Sequence, residues 1–308
     1  MILSASRRTD IPCHYSEWLI NRLQAGYVLT RNPMNPSQIY RIPLSKDIID
    51  CIVFWTKDPL NMLDKLDTLD ELDYKYYFYF TLTPYDRSVE RKLRDKEDIV
   101  RTFKELSRRI GHEKTVWRYD PIILNETFDF AYHKEKFSYL CKQLENDTNQ
   151  CIVSFVDLYS KLKKDRLREI RKEEMMEISR MISTVAKDYG ITVKACCEES
   201  FLSECGMEKA SCIDKALIEK ICGYGLDLKK DKNQRHGCEC YESVDIGAYN
   251  TCKNGCIYCY ANYSMESVEK NDKRHDPKGE LLIGEVQEYE KVILKDVKSN
   301  VNKQMKLF

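Results

Sequence analysis

The sequence predicts an α/β fold, a βα barrel of six to eight parallel strands, and three observations carry that expectation. Short β-branched and aromatic runs alternate with longer helical patterns, as repeated βα units require. Two of the runs, Cys51-Ile-Val-Phe-Trp55 and Cys151-Ile-Val-Ser-Phe-Val156, are almost continuously apolar, as a parallel strand covered on both faces should be. Polar and charged residues follow the runs one after another, and the carboxyl ends of barrel strands are where such folds build their sites. A length of 308 residues suits one barrel as well as two average domains.

Taken in order, the expected strands cover 2–6, 27–30, 51–55, 76–82, 115–119, 151–156 and 191–195, with an eighth at 243–248. Helical patterns lie at about 14–25, 58–70, 86–110, 131–146, 172–189 and 206–222. Gly26, Gly111 and Gly190 each follow a periodic stretch as helix stops, and Asp58-Pro59 pairs an N-cap residue with a proline at the first helical position. Segment 31–43 holds too much proline for a helix and reads as a β-hairpin elaboration. Circular permutation is expected, with 243–248 lying beside 2–6. Residues 1–235 then form the barrel body, 236–262 a cysteine-rich segment completing it, and 263–308 a charged tail, a peripheral helix or partly mobile.

The composition, 43% hydrophobic and 32% charged, is that of a chain able to bury a sizeable core. Fifty basic residues balance fifty acidic ones, so no overall field gathers nucleic acid or an anionic membrane. The opening Met1-Ile-Leu-Ser-Ala-Ser-Arg-Arg lacks a secretory apolar stretch, and no apolar run approaches the roughly 18 residues of a membrane span. The expected location is the cytoplasm, where the 14 cysteines stay reduced. Cys51, Cys141 and Cys151, inside apolar segments, read as core. His14, His112, His133, His236 and His275 show no metal-binding spacing and read as surface or capping residues.

The strand ends lead successively into Arg7, Arg8 and Asp10; Arg31 and Asn32; Thr56, Lys57 and Asp58; Thr81, Thr83 and Tyr85; Arg118, Tyr119 and Asp120; Asp157 and Tyr159; and Cys196, Cys197 and Glu198. Taken singly these are ordinary loop polarity and caps. As a set they predict a polar pocket. Arg7, Arg8, Lys57, Arg118 and Asp120 are its expected catalytic residues, and the excess of cations points to a small anionic or carboxylate-bearing substrate. Adjacent strand residues point to opposite faces, so at most one of Cys196 and Cys197 faces that pocket.

The stretch from Cys238 to Cys259 holds five thiols in 22 residues. Cys252, Cys256 and Cys259 are spaced by three and then two residues, a loop spacing that can wrap one iron-sulfur cubane and leave its fourth iron without a protein ligand. Asn254-Gly255 supplies the tight turn between the first two. Cys238 and Cys240 are additional candidate metal ligands. They are open to closing the fourth iron, binding a second metal, resolving a redox reaction or merely lying nearby. Zinc is the alternative metal, although zinc sites usually pair two Cys-x2-Cys knuckles and only one is present.

This spacing, with Tyr258 just before the last cysteine, resembles the radical S-adenosylmethionine (SAM) superfamily. The resemblance implies a 4Fe-4S cluster on Cys252, Cys256 and Cys259, SAM beside Tyr258, and an electron donor such as flavodoxin or ferredoxin. The whole chain is similar to an uncharacterised bacterial family, a domain of unknown function with such a cluster near its carboxyl terminus; Ser-x-Arg-Arg-Thr-Asp-Ile-Pro, Phe-Trp-Thr-Lys-Asp-Pro and Asp-Ile-Gly-x-Tyr-x-Thr-Cys carry that similarity. The cysteine loop comes late in the chain, where the superfamily has it after the first strand, and no Gly-Gly-Glu motif follows. Under permutation Ser4, Ser6, Arg7 and Asp10 are expected to take over the SAM contacts. The rival expectation is a barrel with a structural or electron-transfer iron-sulfur or zinc site and no SAM chemistry.

Overall fold

A computed structural model describes residues 1–158, 167–196, 200–232 and 237–302. Tyr159, Cys197, Glu198 and His236, singled out above, lie outside the described residues. The strands are β1 (Ile2–Ala5), β2 (Tyr27–Asn32), β3 (Asn35–Pro43), β4 (Cys51–Thr56), β5 (Tyr76–Thr81), β6 (Thr115–Ile122), β7 (Gln150–Phe155), β8 (Thr192–Ala195), β9 (Glu208–Lys209), β10 (Val244–Asp245) and β11 (Lys291–Leu294). Eight of them form one sheet in the order β10-β1-β4-β5-β6-β7-β8-β9, every neighbouring pair parallel. The expected adjacency of 243–248 and 2–6 is present, with Leu3 opposite Val244 and Ser4 opposite Asp245.

Alternation along each strand sorts side chains between two cores. Leu3, Ile52, Phe54, Phe78, Phe80, Trp117 and Val153 face one way and pack with helix residues such as Trp18, Phe103, Phe137 and Ile182. Ile2, Cys51, Val53, Tyr77, Tyr79, Val116 and Ile152 face the other way, against Ala210, Cys212, Ile213, Leu226 and Cys240. Coverage on both faces is why the strands read as unbroken apolar runs. The hydroxyls of Tyr77 and Tyr79, in the middle of the sheet, donate to the carbonyls of Cys212 (3.2 Å) and Ser211 (3.0 Å), just beyond its last strand. The sheet therefore wraps around the chain that follows β9. Among the described residues β9 and β10 do not pair, so hydrogen bonding leaves the sheet open.

The helices are α1 (Ile11–His14), α2 (Ser16–Ala25), α3 (Leu60–Leu63), α4 (Leu66–Glu71), α5 (Lys96–Ile110), α6 (Phe130–Leu144), α7 (Lys172–Asp188), α8 (Lys215–Cys222) and α9 (Met265–Asp272). Caps set their starts: Asp95, Asp129 and Asp214 accept backbone N–H bonds from Glu97, Tyr132 and Leu217. Three expectations are corrected. Run 27–30 is not a strand of the parallel sheet; it forms β2, which turns into β3 as the expected hairpin and joins a separate sheet of order β11-β3-β2. The pattern at 86–110 becomes helical only from Lys96, because the preceding backbone bonds elsewhere: Lys92 N–H donates to Asn254 (3.1 Å), and Val89 accepts from Ile257 (3.0 Å). The start of 206–222 is spent on β9. The tail is built in as well: α9 is followed by β11, parallel to β3, and Asn300 donates to the buried Asp50 carboxylate from its backbone N–H and its amide, both at 2.9 Å. No helix among the described residues is long and apolar enough to cross a membrane.

Candidate functional site

The carboxyl ends of β1, β4 and β5 converge on the cysteine loop, and three carboxylates hold that convergence together. The first is Asp245 on β10. It accepts from the hydroxyls of Ser4 and Ser6, both at 2.7 Å, and from the backbone N–H groups of Arg7 and Gly247, both at 2.9 Å, with Arg8 Nε at 3.9 Å. Parallel pairing of β10 with β1 puts Asp245 opposite Ser4, which is why a short strand late in the sequence can organise the first loop. Ser4→Ala is expected to cost about 1.5–3 kcal/mol, the usual worth of a hydrogen bond to a charged group. Urea denaturation at pH 7 checks it; no measurable change would mean that Asp245 does not depend on this hydroxyl.

Asp10 is the second. As the cap of α1 it accepts from Cys13 N–H (3.0 Å), and its other oxygen takes Lys57 N–H (2.8 Å) and the Asn254 amide (3.1 Å). One side chain thus ties β1, β4 and the cysteine loop together. Burial raises its pKa to about 6, since these hydrogen bonds only partly offset desolvation. Asn254 also meets His14 Nε2 at 2.9 Å, and burial, aided by Lys253, lowers that imidazole to about 4.

Glu90 is the third, 1% exposed in the stretch before α5. It receives Lys57 Nζ (2.7 Å) and Thr83 Oγ1 (2.8 Å), and further hydrogen bonds from Lys96 and the Tyr258 hydroxyl. Its backbone pairs antiparallel with Cys256. Burial alone would raise its pKa; the two ammonium groups outweigh that and bring it to about 2. Lys57 loses to burial in turn but gains more from Glu90 and Cys256, so its pKa rises.

The three loop thiols share this enclosed region. Burial pushes Cys252 well above the usual thiol range, reinforced by Asp10, Cys259 and Cys256. Cys256 is pushed up to about 12, burial outweighing the attraction of Lys57. Cys259 N–H donates to the Cys256 carbonyl at 3.2 Å, closing the turn between the last two cysteines, and Gly255 takes a left-handed φ of +67°. Tyr258 lies with its ring 5.4 Å from Lys57 Nζ. Among the described residues no three His, Cys, Asp or Glu side chains form a ready set around one metal ion.

Of the remaining expected residues, Arg118 and Asp120 form an ion pair, and Ser154 donates to Asp120. Arg118 Nη1 also reaches Cys212 Sγ at 3.1 Å. Arg7 lies 5.6 Å from the Trp55 ring and donates to Ser243 (2.9 Å); burial would lower its pKa, but Asp245, then Cys240 and Cys212, raise it. Arg8 lies beside Asp245, its Nη1 donating to the Gly247 carbonyl at 3.4 Å and its guanidinium 5.5 Å from the Tyr249 ring. The backbone makes cis peptides at Ala5–Ser6 and Asp120–Pro121. Sequence reasoning missed Glu90, hidden in a helical pattern; Asp245, quoted only as part of a motif; and Cys212, which has no close cysteine neighbour in sequence.

Fold and site define an α/β protein whose parallel sheet carries, at its carboxyl edge, a cysteine loop anchored by buried carboxylates. The chain belongs to DUF1848, the uncharacterised family described as a domain of unknown function, whose model matches residues 2–261. No curated protein matches it.

Proposed function

We propose that the protein is a radical SAM-like enzyme with a barrel-like sheet. Cys252, Cys256 and Cys259 would hold a 4Fe-4S cluster, with SAM at its open iron, and a small anionic substrate would sit among Arg7, Arg8, Lys57, Arg118 and Asp120. One observation carries the reading: the Cys-x3-Cys-x2-Cys loop is fastened by Asp10 and Glu90 over the strand ends where βα folds build their sites. A cubane offers each thiolate a different iron, so its three ligands need not surround one point as zinc's would. When bound, cluster and SAM supply one-electron reductive cleavage of a carbon–sulfur bond.

The chain's own residues have distinct tasks in this reading. Lys57 sets a positive charge beside Cys256 and favours its thiolate form, which cluster assembly needs. Tyr258, bonded to Glu90, gives SAM a fixed aromatic wall. Arg7 and Arg118 offer guanidinium groups to an anionic substrate, and Asp120 orients Arg118. Electrons would come from a flavodoxin- or ferredoxin-class donor.

A second reading, a structural or electron-transfer iron-sulfur site without SAM chemistry, draws on Ser4, Ser6 and Asp10, whose polar atoms are already engaged within the protein. The test is 5′-deoxyadenosine, measured by mass spectrometry after anaerobically reconstituted protein is incubated with SAM and dithionite, beside Cys256→Ala. Product from the wild type alone is expected. Its absence despite a fully loaded cluster would favour the second reading.

A further inference from the structure

A second group of thiols lies across the strand ends from the cysteine loop, assembled from three separate segments. Cys196 directly follows β8, and its N–H donates to Val153 at 2.9 Å. Cys212 lies just past β9, where Ala210 N–H donates to Ala195 at 2.8 Å and so brings the two segments side by side. Their sulfurs are 3.1 Å apart. Cys240 comes from the stretch leading into β10. Its Sγ accepts Cys212 N–H at 3.2 Å, and its side chain bonds both Cys212 and Cys238. All four sit in one apolar cluster, Cys238 partly buried.

Core packing accounts for a buried cysteine. It does not account for a run of thiols from distant segments with a guanidinium donating to one of them. Arg118 Nη1 donates to Cys212 Sγ at 3.1 Å, and Arg7 Nη2 donates at 2.9 Å to Ser243, three residues past Cys240. Four thiolates around a divalent metal make a doubly negative centre, and two arginines offset that charge. Position supplies the use. Cys196 and Cys212 follow β8 and β9, and Cys238 and Cys240 lie on the stretch leading into β10, which already bonds to the segment after β9 through Tyr241 N–H to Ile213 (3.4 Å) and Ser211 Oγ to Glu239 (3.0 Å), so one metal would reinforce the link between two edges that do not pair strand to strand.

We propose that Cys196, Cys212, Cys238 and Cys240 form a structural tetrathiolate site for zinc, separate from the cluster loop. In the structure the thiols form a chain of contacts and not a closed set, so metal binding requires Cys238 and Cys240 to turn inward.

The test counts metal in the full-length Cys252→Ala, Cys256→Ala, Cys259→Ala triple variant, purified without chelator, by inductively coupled plasma mass spectrometry. Zinc at about one per chain is expected, falling at least tenfold when Cys240→Ser or Cys238→Ser is added. Absence of zinc, zinc unaffected by those serines, or iron with labile sulfide in its place would each overturn the assignment. Two further measurements guard against misfolding. Circular dichroism checks each variant, and the wild type is stripped of metal and titrated with cobalt(II), which should give tetrahedral thiolate absorption that survives loss of the cluster loop. If the triple variant binds zinc while the wild type, its cluster fully loaded, makes no 5′-deoxyadenosine, this proposal stands and the radical SAM reading yields to the second one.

Discussion

Glu90→Gln is expected to destabilise the protein by about 3–5 kcal/mol, the cost of removing one partner from a buried ion pair. Glu90 is buried between Lys57 and Lys96, and the amide would leave both ammonium groups without their anion. It would also weaken the bond from Tyr258 and so slacken the segment that pairs with Cys256. The pH dependence has a definite sign. Because Glu90's folded pKa, about 2, lies below its ordinary 4.5, its stabilisation is fully present above the ordinary value and is lost as pH falls through the folded one. Urea denaturation at pH 7, and at steps from 4.5 down to 2, should show a steeper acid loss in the wild type than in the variant. Equal stability of the two proteins at pH 7 would mean the ion cluster is not formed.

Gly247→Ala should cost about 3 kcal/mol, the upper part of the range for forcing atoms into filled space. A Cβ at this position would lie 2.0 Å from Ser6 Oγ, 2.6 Å from Ser6 Cβ and 3.2 Å from Thr9 Cγ2. Relief requires Ser6 to leave Asp245, or the turn after β10 to move off β1. Ser6→Gly removes the two nearest atoms, so the double variant should recover most of the loss, short of the two hydrogen bonds of the Ser6 hydroxyl, one given to Asp245 and one accepted from Arg8 N–H. Thermal denaturation of the wild type, both single variants and the double variant measures that coupling. Additive losses would sink the argument.

The parallel strands were legible because each is covered on both faces, which leaves an unbroken apolar run in the sequence. The same property misplaced 27–30: Val28 and Leu29 are buried too, in the small sheet, and a short apolar run carries no mark of which sheet receives it. At the site, Arg7, Asp10, Lys57 and Arg118 were visible as polar residues closing strands; the first three do follow the carboxyl ends of β1 and β4, whereas Arg118 lies inside β6, level with the last residue of β5. Glu90 and Asp245 were not, because what singles out a carboxylate is the set of donors around it, and those come from residues as distant as Ser4 and Tyr258. The grouping of Cys196 and Cys212 with Cys240 depends on strand order in the same way.

The matched family region stops at residue 261, yet the chain beyond it is interlocked with the rest. β11 covers one edge of β3; Asp227 N–H donates to Asn300 and Asn302 N–H to Gly225, each at 2.9 Å or less. A protein cut at the family boundary would bare the β3 edge, leave Asp50 short of donors and free a hairpin to pair with other copies. The unit recognised by likeness is thus smaller than the unit that must fold together, and expression of this protein should be planned on the latter.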